Sequence, residues 1–163
     1  MNTAITIRRA VPDDARAIAR LIEVFAMDAL MLRRTPSVIE LSIADYVVGE
    51  REPGEIVACG ALKEYSPSVA EVAAIAVSTQ LHGRGLGKAI VASVEQLAIK
   101  RGTCDLFALT LQPAFFAALG YERVDRARYP EKIRRDCLGC ARRFACNEVC
   151  LAKTLTAAVR SAA

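Results

Sequence analysis

The residues best suited to bind a ligand are three alternating glycines that follow an apolar stretch. The stretch Val72–Val77 is small and β-branched, which predicts a buried strand, and a helix is predicted over about 86–101. Gly83, Gly85 and Gly87 lie between them, where glycine lets the backbone turn tightly and lets a ligand approach the amides. The first amides of a helix lack intrahelical partners and carry partial positive charge, so we expect this turn to bind a phosphate or diphosphate. Formal positive charge is added by Arg84 and Lys88.

The glycine spacing excludes two familiar nucleotide-binding loops. The chain has no Gly-x-x-x-x-Gly-Lys-Ser/Thr sequence, and its glycines do not fit Gly-x-Gly-x-x-Gly. Gln80, Gly83 and Gly85 instead form Gln-x-x-Gly-x-Gly after a strand that ends with Ile75-Ala76-Val77. This pattern resembles the acetyl-coenzyme A motif of the GNAT superfamily of N-acetyltransferases. A glycine-rich turn without a ligand is the alternative interpretation.

The resemblance implies that the loop amides wrap the diphosphate of acetyl-CoA, while the strand edge holds the pantetheine and the thioester. His82 is the only histidine, and we interpret it as a coenzyme contact or a surface residue rather than as a base. The coenzyme-binding residues that the resemblance implies are Ile75, Ala76, Val77, Gln80, Leu81, His82, Gly83, Arg84, Gly85, Leu86, Gly87, Lys88, Thr110, Phe115 and Phe116.

A second stretch, Pro113–Tyr121, resembles the Phe-Tyr/Phe-x-x-x-Gly-Phe motif of the same superfamily. The resemblance implies that Phe115 and Phe116 pack against the coenzyme; a short amphipathic core helix would explain the same residues without a ligand. The second aromatic of the motif is often a tyrosine that protonates the leaving thiolate. Because Phe116 cannot donate a proton, the donor remains open between water, another residue and none.

Composition and charge limit the class of protein. The chain has 163 residues, of which 53% are hydrophobic, so we expect one domain over residues 1–163. It has no apolar run of the roughly 18–20 residues that span a bilayer and no signal peptide, which favours a soluble cytoplasmic protein. The net charge of +4 is concentrated after residue 120, where ten Lys and Arg accompany five Asp and Glu. No nucleic-acid motif accompanies this charge, so we expect neither nucleic acid nor membrane as a partner and leave a homodimer open.

The hydrophobic pattern predicts alternating strands and helices. Strands are predicted at about 3–9, 45–50, 56–63, 72–77, 104–110, 121–125 and 149–151, and helices at about 12–30, 37–44, 86–101 and 113–119. This order resembles the GNAT fold, an α/β (α+β) arrangement with a mixed, splayed central sheet flanked by helices.

A narrower resemblance extends over nearly the whole chain. Seven short segments occur in the same order as in the acetyltransferase domain of bacterial N-acetylglutamate synthase, the first enzyme of arginine biosynthesis. The resemblance implies acetyl transfer from acetyl-CoA to the α-amine of L-glutamate. Many members also carry an amino-acid-kinase-like domain that binds arginine, and we expect this route to inhibition to be absent here. The segments are Ile7–Ala10, Leu32–Thr35, Ala58–Leu62, Ala70–Val72, Ala76–Val77, Phe107–Thr110 and Pro130–Lys132.

The two carboxylates of glutamate call for at least two cations. The guanidinium fork of arginine matches a carboxylate with two parallel hydrogen bonds. Arg34, with Arg33 second, matches the paired arginines of the family; two solvated surface arginines are the alternative. The second cation is expected to be Lys63 or Lys132. This chain departs from the family at Ser68, where the family has a lysine before the central strand.

The acceptor amine must lose a proton before it attacks the thioester. Glu71, at the start of the central strand, is the general base that we expect, acting through water. A solvated charge at the strand edge is the alternative. A backbone amide near residues 75–77 is expected to stabilise the oxyanion.

Four cysteines near the C-terminus could bind a metal ion. Cys137, Cys140, Cys146 and Cys150 form Cys-x2-Cys-x5-Cys-x3-Cys within a Cys-rich segment at about 130–155, and three or four thiolates could hold structural Zn²⁺. The spacing is not that of a zinc ribbon, so free thiols are the default. A non-catalytic metal or redox sensor is therefore the alternative function. The remaining cysteines are predicted to lie in the core, and they are Cys59 and Cys104.

Overall fold

The structure is a computed structural model that describes residues 4–156. Its strands are β1 Thr6–Arg9, β2 Tyr46–Glu50, β3 Ile56–Glu64, β4 Val69–Val77, β5 Asp105–Thr110, β6 Glu122–Arg123 and β7 Val149–Thr154. Its α-helices are α1 Ala15–Met27, α2 Pro36–Leu41, α3 Leu86–Lys100, α4 Pro113–Ala118 and α5 Pro130–Lys132. Short 3₁₀ turns occupy Pro12–Asp14, Ile43–Asp45, Thr79–Leu81 and Arg126–Arg128, and one π-helical turn occupies Ile133–Cys137.

The seven strands form a mixed sheet in the order β1-β2-β3-β4-β5-β7-β6. Strands β4 and β5 are parallel, with a register from Val69–Asp105 to Glu71–Phe107. The β1–β2, β2–β3, β5–β7 and β6–β7 pairs are antiparallel. The predicted α+β class with a mixed sheet and flanking helices is confirmed. None of the described helices has both the length and the apolar character needed to cross a bilayer.

The chain divides into two compact units. The first consists of the residues up to 63 together with 72–97, and the second consists of 64–71 together with the residues from 98 onward. Strand β4 and helix α3 each contribute residues to both units.

The core of the first unit is built on the apolar face of α1. Ile18 and Ile22, four residues apart and therefore on one face, are fully buried against Ile39, Tyr46 and other residues of the cluster. Arg8 in β1 links this helix to the sheet. Its guanidinium donates to both carboxylate oxygens of Asp14 at 2.7 and 3.0 Å and to both of Glu50 at 2.9 and 3.0 Å.

The core of the second unit is aromatic. Phe107 stacks on Tyr129 with ring centroids 3.9 Å apart, and Tyr65 packs against Phe107 at 5.6 Å. Tyr129 lies in the segment 126–137, whose helical turns the sequence analysis did not predict. Asp125 starts this segment by accepting the Ala127 amide at 2.8 Å, and a proline begins α5.

Three predictions about the elements need correction. Cys104 is exposed rather than in the core, because β5 begins one residue later and the Cys104 amide bonds to Ser68 O at 3.1 Å. Helix α1 ends at Met27, earlier than the predicted 30, because Ala29 takes a left-handed φ of 57°. Strand β6 has two residues instead of five. Cys59 is fully buried, as predicted.

Gly60 in β3 provides a test of the packing in the first unit. A Cβ at this position would lie 2.6 Å from both Ile75 Cδ1 and Ile90 Cγ2 and 3.3 Å from Val94 Cγ2. We expect Gly60→Ala to lower the free energy of unfolding by about 1–3 kcal/mol because of this overpacking. Chemical denaturation would measure the change, with Gly139→Ala as the control, since a Cβ there meets no atom within 4 Å. Equal stability of the two variants would contradict the packing.

Candidate active site

The turn between β4 and α3 presents main-chain amides to open space. Gly83 and Gly85 have φ values of 75° and 78°, which side chains disfavour, and a Cβ on either would meet no atom within 4 Å. The Ala89 amide bonds to Gly85 O at 3.0 Å, so the first turn of α3 begins directly after the second glycine. The amides of this first turn have no acceptor within the helix. They are therefore suited to bind an anion, and the anion site stays a prediction.

The side chains around this turn fall into two groups. Leu81 and Leu86 are buried and anchor the turn, whereas Gln80, Arg84 and Lys88 are exposed. The His82 ring lies 2.8 Å from Val77 O through Nε2 and stacks on Phe25 with centroids 6.2 Å apart. His82 is thus an exposed residue with two local contacts.

The predicted coenzyme residues of β4 follow an irregularity in the strand. Ala74 has a φ of 54°, and its carbonyl accepts the Cys59 thiol at 3.4 Å. Ala74 and Ala76 are buried, whereas Ile75 and Val77 are partly exposed. The sequence pattern of this apolar run gave no sign of a left-handed residue.

The other predicted coenzyme residues belong to the second unit. Phe116 is buried and meets the rings of Phe115 and Tyr121 edge-on at 5.1 and 5.2 Å. Thr110 is buried, and its hydroxyl accepts the Gln112 amide at 2.8 Å. Phe116 is therefore a core residue, and Phe115 is the more exposed member of the aromatic pair.

The two predicted carboxylate-binding arginines differ in their surroundings. Arg33 is exposed over 70% of its side chain and forms an ion pair with Glu23. Arg34 is half-buried, and its only hydrogen bond within residues 4–156 is a 3.4 Å contact from Nη1 to the hydroxyl of Tyr46. Most of the donors of the Arg34 guanidinium are therefore available to a ligand. This difference favours Arg34 over Arg33.

Glu71 is buried, with only 7% of its side chain exposed. Its Oε2 atom accepts from Lys132 Nζ at 2.8 Å and from the Tyr65 hydroxyl at 2.8 Å. Lys132 Nζ also donates to Asp136 Oδ2 at 3.1 Å, and the Tyr65 hydroxyl contacts the same oxygen. Glu71 is thus not the solvated edge charge of the alternative interpretation.

The electrostatics of these residues follow from burial and from the two carboxylates. Burial by itself lowers the pKa of Lys132, but Glu71 and Asp136 outweigh it and hold that pKa above its ordinary value. Burial and then the same carboxylates raise the pKa of Tyr65, so the phenol stays protonated. Burial, with a further contribution from Glu71, raises the pKa of Glu148.

The two lysines predicted to bind the substrate lie in different units. Lys63 is a half-buried residue near the end of β3 in the first unit. Lys132 belongs to the second unit, where its ammonium is shared by two carboxylates. The structure therefore brings Lys132 together with Glu71.

The four clustered cysteines do not form a metal site. Within residues 4–156, no three His, Cys, Asp or Glu side chains are arranged to hold a metal ion. Cys150 is buried in β7, in a cluster with Phe107 and Tyr129, and Cys146 accepts from both terminal nitrogens of Arg126 at 3.5 Å. The hypothesis of zinc bound by Cys137, Cys140, Cys146 and Cys150 is therefore not supported, and all four are free thiols.

Comparison with known proteins identifies the family. Residues 19–121 match the model of the acetyltransferase (GNAT) family. The chain belongs to this family. It is 34% identical over 149 residues to an uncharacterised N-acetyltransferase of Chlorobaculum tepidum, covering 91% of this chain and 96% of that protein.

Other relatives of this GNAT chain carry more specific names. It is 33% identical over 129 residues to the amino-acid acetyltransferase of Pseudomonas putida, covering 75% of this chain. The N-acetylglutamate synthase of Neisseria gonorrhoeae, solved with coenzyme A and N-acetyl-glutamate, is 28% identical with a TM-score of 0.83 over 96% of this chain. The matched region spans only 30% of the Pseudomonas protein and 36% of the Neisseria chain.

Sequence reasoning missed two residues of the site, Tyr65 and Asp136. Tyr65 lies in a Ser- and Pro-containing turn before β4, and no pattern in the sequence marks it as a functional residue. Asp136 follows Lys132 by four residues, and this spacing of opposite charges on a helix could have indicated the pair.

A substitution of Gly85 would test whether the turn between β4 and α3 binds an anion. A side chain at φ 78° strains the backbone and blocks the approach to the amides. We expect Gly85→Ala to weaken coenzyme A binding about tenfold, the effect of losing roughly one hydrogen bond. Isothermal titration calorimetry would measure the dissociation constant.

Gly54→Ala is the matched control, because Gly54 has a similar φ of 79° and equally open space in the turn between β2 and β3. Both variants should lose similar stability, but only Gly85→Ala should lose affinity. Unchanged affinity in Gly85→Ala would contradict this binding site.

Proposed function

We propose that this chain transfers the acetyl group of acetyl-CoA to the α-amine of L-glutamate, as an N-acetylglutamate synthase. The observation that carries the proposal is Glu71, a buried carboxylate at the start of β4 whose Oε2 is held by a lysine and a tyrosine. The name of the Pseudomonas relative supports an amino acid as the acceptor, and the name and bound product of the Neisseria relative support glutamate. The reaction would belong to arginine biosynthesis in the cytoplasm.

The turn from Gly83 to Lys88 is suited to the diphosphate of acetyl-CoA. Its glycines leave space for the anion, and the first amides of α3 supply donors with partial positive charge. The exposed cations of Arg84 and Lys88 would add long-range attraction for the phosphates. The coenzyme A bound in the Neisseria structure supports this assignment.

Glu71 would serve as the general base. An amino acid is protonated at neutral pH, and its nitrogen has no lone pair to attack the thioester until one proton leaves. Glu71 Oε1 makes no hydrogen bond within residues 4–156. This oxygen is therefore available to accept the proton directly or through a water molecule, a step that contributes about 10²–10⁴-fold to rate.

Arg34 would bind a carboxylate of the substrate. Its guanidinium is held from one side by Tyr46, so it has lost part of its conformational freedom before a ligand arrives. Lys63 and Lys132 are the candidates for the second carboxylate, and the ammonium of Lys132 is already shared by Glu71 and Asp136. Acetylation of another small amine is the competing acceptor assignment.

The acceptor can be tested by measuring the release of the coenzyme A thiol from acetyl-CoA with each standard amino acid in turn. We expect L-glutamate to give the highest kcat/KM and L-glutamine, which lacks only the side-chain charge, to fall at least roughly tenfold below it, since a charged hydrogen bond is worth about 1.5–3 kcal/mol. A higher kcat/KM for an amino acid without a side-chain carboxylate would contradict glutamate as the acceptor.

The same assay on two arginine variants would test the carboxylate site. We expect Arg34→Ala to raise the KM for glutamate roughly 10- to 100-fold. Arg33→Ala is the control, because Arg33 is exposed and paired with Glu23, and we expect it to change the KM much less. A KM unchanged in Arg34→Ala would show that the carboxylate is bound elsewhere.

A further inference from the structure

Glu71 and three other side chains of the second unit form a closed ring of hydrogen-bond contacts. Tyr65 Oη and Lys132 Nζ each contact Glu71 Oε2, both at 2.8 Å. The same two donors contact Asp136 Oδ2, at 3.1 Å for Lys132. Two carboxylates therefore share the same lysine and the same tyrosine.

The two donors are not equivalent. The ammonium of Lys132 has three protons and can donate to both carboxylates at once. The hydroxyl of Tyr65 has one proton, so it donates to one carboxylate at a time and can accept a proton from the other. Tyr65 is therefore a bridge over which a proton can pass between Glu71 and Asp136.

The two ends of this bridge differ in their access to water. The Glu71 side chain is 7% exposed, whereas the Asp136 side chain is 25% exposed. A buried base that has taken a proton must release it before the next turnover. The more exposed carboxylate is on the far side of Tyr65, where a proton can leave to solvent.

We propose that Tyr65 and Asp136 carry to solvent the proton that Glu71 removes from the acceptor amine. This rests on the proposed function, because it takes Glu71 as the base. Tyr65 and Asp136 act through Glu71, so they are positioning residues that also pass a proton.

The relay consists of four proton transfers in three steps, because the middle two transfers occur together. The N–H bond of the substrate ammonium breaks, and its proton binds Glu71 Oε1. Rotation of the protonated carboxyl group then turns this oxygen toward Tyr65, in the place of Oε2. Glu71 gives this proton to Tyr65 Oη while the Tyr65 O–H proton moves to Asp136 Oδ2, and Asp136 releases that proton to water. Because burial and the two carboxylates raise the pKa of Tyr65, the middle step is concerted and forms no tyrosinate.

Charged groups near the hydrogen-bonded residues determine the electrostatic potential at Tyr65 and Glu71. The Arg135 guanidinium lies 4.8 Å from the centre of the Tyr65 ring, and Lys132 Nζ lies 5.9 Å from it. Glu148 interacts electrostatically with Glu71, Lys132 and Arg126. The cations Lys132 and Arg135 stabilise the negative charge that remains after the proton has left, whereas Glu148 opposes it.

The experiment compares two tyrosine-to-phenylalanine variants of the full chain. Tyr65→Phe removes the bridging hydroxyl. Tyr129→Phe is the matched control, since the Tyr129 hydroxyl donates to Asp105 at 2.9 Å and its ring belongs to the same aromatic cluster. Thiol release would be measured with the amino acid that the wild type acetylates fastest, and Glu71→Gln gives the rate without the base.

We expect Tyr65→Phe to lower kcat roughly 10- to 100-fold, less than the 10²–10⁴-fold of a lost base, with both KM values unchanged. Tyr129→Phe should keep the wild-type kcat. The kcat of Asp136→Asn should fall as far as that of Tyr65→Phe. The kcat of the double variant should fall no further, because both residues lie on one proton path. A concentrated imidazole buffer, which carries protons, should restore part of the kcat of Tyr65→Phe; a purely structural hydroxyl would not be replaced in this way.

The outcomes separate the relay from the function on which it rests. Thiol release that is lost in Glu71→Gln but unchanged in Tyr65→Phe and Asp136→Asn would overturn the relay alone. Equal losses in Tyr65→Phe and Tyr129→Phe, or no recovery with imidazole, would also overturn it. No thiol release from the wild type with any amino acid would overturn the proposed function, and the relay with it.

Discussion

The ion pair between Glu71 and Lys132 is the constraint on which the second unit depends. A carboxylate that is 7% exposed would be strongly destabilising without partners. Lys132 reaches Glu71 from a segment 61 residues further along the chain, so the helical turns of residues 130–137 are needed to satisfy the charge. The i,i+4 spacing of Lys132 and Asp136 places both on one face of these turns. A network held this firmly keeps Glu71 in one position, as a base requires.

The turn between β4 and α3 is suited to bind an anion through its main chain rather than through side chains. An anion bound there would contact main-chain amides, so the requirement falls on the backbone conformation of Gly83 and Gly85 rather than on side chains. Arg84 and Lys88 contribute charge, but their side chains are exposed. Main-chain recognition at the turn and side-chain chemistry at Glu71 therefore place separate demands on the sequence, each within its own unit.

How much could be predicted from the sequence varied with the range of the interaction. The glycine turn and the strand and helix on either side of it were predicted because local patterns specify them, and the family comparison confirmed the fold. The burial of Glu71 was not predicted, since it depends on Tyr65 and on a lysine far along the chain. The zinc hypothesis inferred from the sequence spacing of the cysteines that their thiols are close in space. In the structure Cys150 lies in a buried strand and Cys146 contacts Arg126. Cys104 was misplaced by the one residue that separates it from β5.

A crystal structure with coenzyme A and N-acetyl-L-glutamate would test the proposed site at atomic level. We expect diphosphate oxygens within about 3 Å of the first amides of α3, the hydrogen-bond distance for an amide donor. We also expect the product nitrogen within hydrogen-bond distance of Glu71, directly or through one water molecule, and a product carboxylate on Arg34. A diphosphate bound away from the Gly83–Lys88 turn, or a product nitrogen far from Glu71, would contradict it.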